Sequence, residues 1–221
     1  MSLEGTISRS PQDGRHSGIR GLGEVVAHHA GPALIIGGLL WVATYVVEIL
    51  IGVLLGEATY AEPEASSSWL VWLWPATFMA AIFCLATGLL GVASQVGRRG
   101  RVLAVLGGLL ACVALTASSA NIVRLTGVLG ESTASDGLGF LGVIGVLGGS
   151  VLLGGATLRA RVLTRRARLT LLLLPLAFVP AIIATIPLEA VAPDYVVADL
   201  PFPVVGLVLA TVGLTLHRSR E

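Results

Sequence analysis

Six long apolar segments alternate with short polar segments along the 221-residue chain. An α-helix rises about 1.5 Å per residue, so about 20 apolar residues are enough to cross the ~30 Å hydrocarbon core of a bilayer. The pattern therefore predicts an all-α polytopic membrane protein with six transmembrane helices, at about residues 32–55, 69–96, 102–122, 138–158, 169–186 and 200–217.

The composition supports this fold class. Hydrophobic residues make up 55% of the chain and charged residues only 12%, whereas soluble domains carry roughly 25% charged residues. We therefore expect a multi-pass protein of the cell (plasma) membrane, with the lipid bilayer as its first partner. Both cysteines, Cys84 and Cys112, fall inside apolar segments without disulfide or metal-ligand spacing.

The arginines predict an orientation for the six helices. The loop after the fourth segment carries five of them in ten residues, and basic residues beside a span stay in the cytoplasm: Arg159, Arg161, Arg165, Arg166 and Arg168. With alternating spans, 13 of the 14 arginines fall on that side, and only Arg124 falls outside. The N-terminus and C-terminus are therefore both predicted to be cytoplasmic.

The same pattern divides the chain into three parts. Residues 1–30 are predicted to form a cytoplasmic polar tail with an interfacial helix, residues 31–217 the transmembrane domain, and residues 218–221 a cytoplasmic end. Pro32 is expected in the first turn of the first span, where a missing N–H is tolerated.

Glycines mark the fourth segment as a helix-packing element. Gly142, Gly145 and Gly149 share one helix face, and small residues allow neighbouring helices to approach closely in a membrane. This face is predicted to pack against a helix of the same chain, of a second copy or of another membrane subunit.

Glu48 is the residue that most needs an explanation. It lies inside the first span, where a carboxylate that faces lipid costs a few kcal/mol, so it must face the bundle, be protonated or be paired. Trp41, Tyr45, Glu48 and Gly52 lie on one helix face, and this stripe is predicted to point inward.

Arg124 is the predicted partner of Glu48. An arginine can hold a carboxylate bidentately and stays charged, and Asn121 lies nearly one turn away on the same helix. One hypothesis makes this pair the floor of an outward-facing polar cavity, closed by Asp199 and by a kink at Pro175 and Pro180. The alternative is a buried ion pair that only fixes helix register.

The sequence does not specify one function. It contains no nucleophile and base at one membrane depth, no metal-ligand cluster and no cofactor motif, and topology with anionic lipid explains the cytoplasmic arginines without nucleic acid. The leading hypothesis is a non-enzymatic protein that binds or transports a small-molecule solute. The alternatives are a structural or partner-binding subunit, including a homo-oligomer, and, third, a membrane-embedded enzyme.

Overall fold

The computed structural model describes residues 13–62, 67–125 and 135–218, with side chains described from Val25 onward except at residues 135 and 136. The first 12 residues of the predicted tail, the segment around Glu131 between the third and fourth predicted spans, and the last three residues of the predicted cytoplasmic end lie outside the described residues. Every regular element in the described part is helical.

Eight α-helices are present in the described part of the chain. Six of them are long and apolar enough to cross a membrane, as the hydropathy pattern predicts. The eight are α1 (Asp13–Leu55), α2 (Glu57–Ala61), α3 (Trp69–Ser94), α4 (Arg101–Leu125), α5 (Ser135–Ala160), α6 (Arg165–Leu188), α7 (Asp194–Val197) and α8 (Pro201–Arg218). The fold is thus compatible with a multi-pass integral membrane protein.

The first helix begins earlier than the hydropathy pattern predicts. α1 is continuous over 43 residues, so residues 13–30 extend the spanning helix at its N-terminal end. Pro32 lies well inside α1 and not in its first turn. The apolar part of α1, from Val25 to Leu55, still matches the predicted first span.

The packing order places α3 between α1 and α4. α1 packs against α3 and α8, α4 packs against α3 and α5, and α6 packs against α5 and α8. The short helices α2 and α7 both contact α1. They lie at the end of the bundle where α1 ends and α8 begins, which we call the α2/α7 end.

Four glycines bring α1 and α8 into backbone contact. A Cβ atom added to Gly31 would lie 3.0 Å from the carbonyl oxygen of Gly213, and one added to Gly206 would lie 2.5 Å from the carbonyl oxygen of Gly38. The pairing of early with late residues shows that the two helices run antiparallel. Close approach of this kind is how helices gain van der Waals contact where lipid removes the hydrophobic driving force between them.

The predicted glycine face of α5 packs inside the chain. A Cβ atom on Gly145 would lie 2.7 Å from the carbonyl oxygen of Leu110 in α4, and one on Gly149 would lie 3.2 Å from the carbonyl oxygen of Gly107. Gly142 faces Ile82 of α3. All three glycines are buried by these contacts, so this face is not available to a second copy or a partner subunit.

An aromatic cluster joins four of the long helices. Phe202 of α8 is its centre, with its ring centroid 5.5 Å from that of Trp41, 5.7 Å from that of Phe78 and 5.9 Å from that of Phe178. These partners lie on α1, α3 and α6. The cluster therefore forms a packed layer in the bundle near the start of α8.

A cavity beside Glu48 and Asp199

The polar stripe of α1 faces the interior, as its spacing predicts. Trp41, Glu48 and Gly52 are buried, and Tyr45 is half-buried. Glu48 is only 3% exposed. A carboxyl group inside a spanning helix is thereby kept away from lipid.

Two groups contact the Glu48 carboxyl. The Tyr60 hydroxyl donates a hydrogen bond of 2.9 Å to Glu48 Oε1. The Asp199 carboxyl lies within hydrogen-bonding range of the Glu48 carboxyl. The other oxygen, Glu48 Oε2, is buried and receives no hydrogen bond from any donor in the described part of the chain.

A turn at Gly56 brings Tyr60 back over the end of α1. Gly56 has a φ of 89°, a left-handed conformation that glycine adopts without the steric penalty of a side chain. The following short helix, α2, places Tyr60 above Glu48, 12 residues earlier in the chain. Burial first, and then the negative charge of Glu48, raise the pKa of Tyr60, so its hydroxyl remains a donor at neutral pH.

A second tyrosine supports this arrangement. The Tyr195 ring of α7 packs directly on Gly52, which has no side chain to displace it. The Tyr60 and Tyr195 rings meet edge to face with centroids 6.0 Å apart. The two short helices α2 and α7 are thus held together over the end of α1.

Asp199 approaches Glu48 from the turn between α7 and α8. Its backbone carbonyl accepts a 3.0 Å hydrogen bond from the Phe202 amide at the start of α8. Pro201 and Pro203 occupy the first turn of α8. Backbone N–H groups in the first turn have no intrahelical acceptor, so the two prolines remove no helical hydrogen bond there. The prolines therefore begin the helix and leave Asp199 just before it, beside α1.

These groups surround a cavity of about 400 Å³ that is partly open to its surroundings. Apolar and aromatic side chains form most of its wall, and two carboxyl groups and a phenol supply the polar part. The lining residues are Glu48, Ile51, Tyr60, Ala61, Val71, Trp74 and Asp199. The indole Nε1 of Trp74 is buried and has no hydrogen-bond partner among the described residues.

The predicted Glu48–Arg124 pair is not formed. Arg124 lies at the end of α4, which α3 separates from α1, and no ion pair joins Arg124 to Glu48 in the described structure. Its buried Nη1 atom has no hydrogen-bond partner among the described residues. Asn121 instead donates a 3.4 Å hydrogen bond to Met79 Sδ of α3.

The other predicted site residues fall at two depths. Tyr45 donates a hydrogen bond to the Val196 carbonyl of α7, close to the cavity. Trp41 lies one layer deeper, against Phe202. The proline-containing helix α6 contributes no described residue to the cavity wall, so α2, and not a kink in α6, covers this end.

Sequence reasoning missed Tyr60 and Trp74. Tyr60 lies in the polar segment between the first two predicted spans, and Trp74 lies inside the second predicted span, where no feature of the sequence links either residue to Glu48. The sequence offered one signal for the helix that carries Tyr60. Gly56 is followed by an acidic residue, and helices commonly begin with a glycine and an acidic residue in their first turn.

The described residues contain no group of three or more His, Cys, Asp or Glu side chains that could hold a metal ion. No family model, curated protein or solved structure is detectably similar to this chain. The functional conclusion must therefore come from the site itself.

Proposed function

We propose that this is an integral membrane protein that binds a small solute in the cavity at the α2/α7 end. One observation carries the proposal: Glu48 Oε2 is buried at the cavity wall with no donor from the described residues. A buried carboxylate oxygen without a donor is costly and rare in folded proteins. A solute that donates a hydrogen bond would remove that cost.

The size and chemistry of the cavity support the same function. Small-molecule sites commonly have volumes of about 300–1,000 Å³, with mostly apolar walls and a few convergent polar groups. This cavity has a volume of about 400 Å³, and Ile51, Val71 and Trp74 supply its apolar wall. Glu48 Oε2 and Trp74 Nε1 are polar atoms with unused hydrogen-bonding capacity.

The proposal includes the orientation of the bundle. The turn at residues 98–101 and the arginine-rich segment at residues 159–168, where α5 ends and α6 begins, lie at the end opposite α2 and α7. Since basic residues beside a span favour the cytoplasm, the cavity would open on the outer face of the plasma membrane. The solute would then enter from outside the cell.

Thiol labelling tests both the cavity and its direction. In a variant with Cys84 and Cys112 replaced by Ala, we expect Ile51→Cys to react with a membrane-impermeant thiol reagent in intact cells at least about tenfold faster than Val53→Cys. Ile51 lines the cavity, whereas Val53 is 61% exposed on the apolar outer surface of the same helix. A thiolate forms readily in water and poorly in lipid.

Labelling of Ile51→Cys and Val53→Cys in intact and in permeabilised cells distinguishes the possible outcomes of that experiment. Equal slow labelling of both cysteines in a folded protein would contradict a solute-accessible cavity. Fast labelling of Ile51→Cys only after the cells are permeabilised would leave the cavity in place and reverse the proposed orientation. Protection of Ile51→Cys by an added solute would identify that solute as a ligand.

A further inference from the structure

We propose that Glu48 and Asp199 bind one organic ammonium ion in exchange for one proton that the two carboxyl groups share. This inference rests on the solute site proposed above and names the chemical class of the solute. Its geometric basis is the contact between two carboxyl groups at the wall of one cavity.

The shared proton follows from the chemistry of that contact. An ionised carboxylate is only an acceptor, so two carboxyl groups hydrogen-bond to each other only when one of them carries a proton. Tyr60 supplies a donor to Glu48 Oε1, but no described residue supplies one to Oε2. In the described structure no cationic side chain forms an ion pair with either carboxyl group. One proton between Glu48 and Asp199 removes the repulsion of two adjacent negative charges.

An ammonium ion can replace that proton without changing the net charge of the site. The pair with one proton carries one negative charge. When R–NH₃⁺ binds, the proton leaves to water, and two carboxylates with one ammonium group again carry one negative charge. The N–H groups of the ammonium ion then donate to Glu48 Oε2 and to the Asp199 carboxylate.

The cavity wall favours an organic cation over a metal ion. Ca²⁺ and Mg²⁺ take six or more oxygen ligands, whereas the oxygen-bearing side chains of the wall are those of Glu48, Tyr60 and Asp199. The rest of the wall is aliphatic and aromatic. Its Trp74 ring can attract an organic cation through a cation–π interaction, which is stronger for tryptophan than for other aromatic side chains. An ammonium group with a short apolar body matches both parts of the wall.

Few other titratable groups lie beside the pair. They are Tyr45 of α1, Tyr60 of α2 and, from α7, Asp194 and Tyr195. Burial and the neighbouring carboxyl groups raise the pKa of Tyr60, so its hydroxyl keeps its proton at neutral pH. α3 carries no Asp, Glu, His, Lys, Arg or Tyr, and the ionisable residues of α8 are His217 and Arg218 at its far end. Loss of proton release in Asp199→Asn would assign the released proton to the pair.

The test measures binding and proton release together. The purified full-length protein in lipid nanodiscs would be titrated with 2-phenylethylammonium, and with the neutral 2-phenylethanol as its matched control, in weak buffer between pH 6 and 8. We expect about one proton released per ammonium ion bound, and an affinity that rises up to tenfold per pH unit. Asp199→Asn, checked for its fold by denaturant titration, should lose the proton release.

Each contrary result has a distinct meaning. Binding of the ammonium ion without proton release would overturn the exchange. Equal affinity for 2-phenylethanol would overturn the cation as the ligand class. Either result leaves the proposed solute site standing, because that site is tested separately by labelling of Ile51→Cys. Absence of binding by both probes, with fast labelling of Ile51→Cys, would overturn this inference alone.

Discussion

Glu48→Gln is expected to weaken binding of 2-phenylethylammonium by at least about 30-fold while the protein remains folded. Removing one member of a buried charged pair typically costs 2–5 kcal/mol of binding free energy, and about 2 kcal/mol corresponds to about 30-fold. The folded state should tolerate the change, because the glutamine amide can accept from Tyr60 and donate to Asp199. Both of these partners already contact Glu48.

The matched control is Glu57→Gln. Glu57 lies on α2, is exposed and does not line the cavity, so the same change of acid to amide should alter the dissociation constant by less than about twofold. The dissociation constants would be measured by titration calorimetry at one pH and salt concentration. Equal affinities for Glu48→Gln and the unsubstituted protein would contradict a role for the Glu48 charge.

Gly38→Ala is expected to lower the free energy of unfolding by about 2–3 kcal/mol. An added Cβ atom would overlap the carbonyl oxygen of Gly206 and would lie 3.0 Å from the amide nitrogen of Ala210. Backbone atoms cannot move aside as a flexible side chain can, so α1 and α8 would have to separate. Overpacking of a close contact commonly costs about 1–3 kcal/mol.

Gly108→Ala on α4 provides the comparison. The nearest atom to its added Cβ would be Cβ of Ala93 at 3.7 Å, which is ordinary van der Waals contact. Since alanine favours helix by up to about 1 kcal/mol over glycine, this variant should be as stable as the unsubstituted protein or more stable. Denaturant titrations in mixed micelles would give both values, and equal stability of the two variants would contradict the close α1–α8 contact.

Much of the fold could be predicted because a bilayer imposes a simple length rule. A spanning helix needs about 20 apolar residues, and the predicted spans agree with the six long helices to within a few residues at most of their ends. The largest difference is at α1, which extends back to Asp13. The residues at the start of α1 are too polar for a hydropathy rule to include them in a span, although their backbone is helical.

The site was predictable only in part. Helical periodicity identifies Glu48 and its inward face, because it requires only the residues of α1. The partner of that carboxyl depends on which helices are neighbours in the fold. The periodicity of a single helix carries no information about its neighbours. Charge complementarity favoured Arg124, but α3 lies between α4 and α1, and Asp199 reaches Glu48 from the other side through the contact of α1 with α8.

Tyr60 was missed for a related reason. Its position depends on the reversal of the chain at Gly56 and on the packing of α2 against α1. Five residues are too few to show a hydrophobic period. Short helices outside the spans follow from tertiary contacts, such as that between Tyr60 and Tyr195, and leave little trace in the sequence.

The juxtaposition of Glu48 and Asp199 is the central claim, and chemical cross-linking tests it most directly. In a background without Cys84 and Cys112, Glu48→Cys would be combined with Asp199→Cys in one variant and with Arg124→Cys in another. Each variant would react with a short bifunctional thiosulfonate reagent, and the intact mass would distinguish one bridging reagent from two single adducts. We expect a bridge between residues 48 and 199 and none between residues 48 and 124. A bridge only between residues 48 and 124 would contradict the carboxyl pair and restore the ion pair that the sequence suggests.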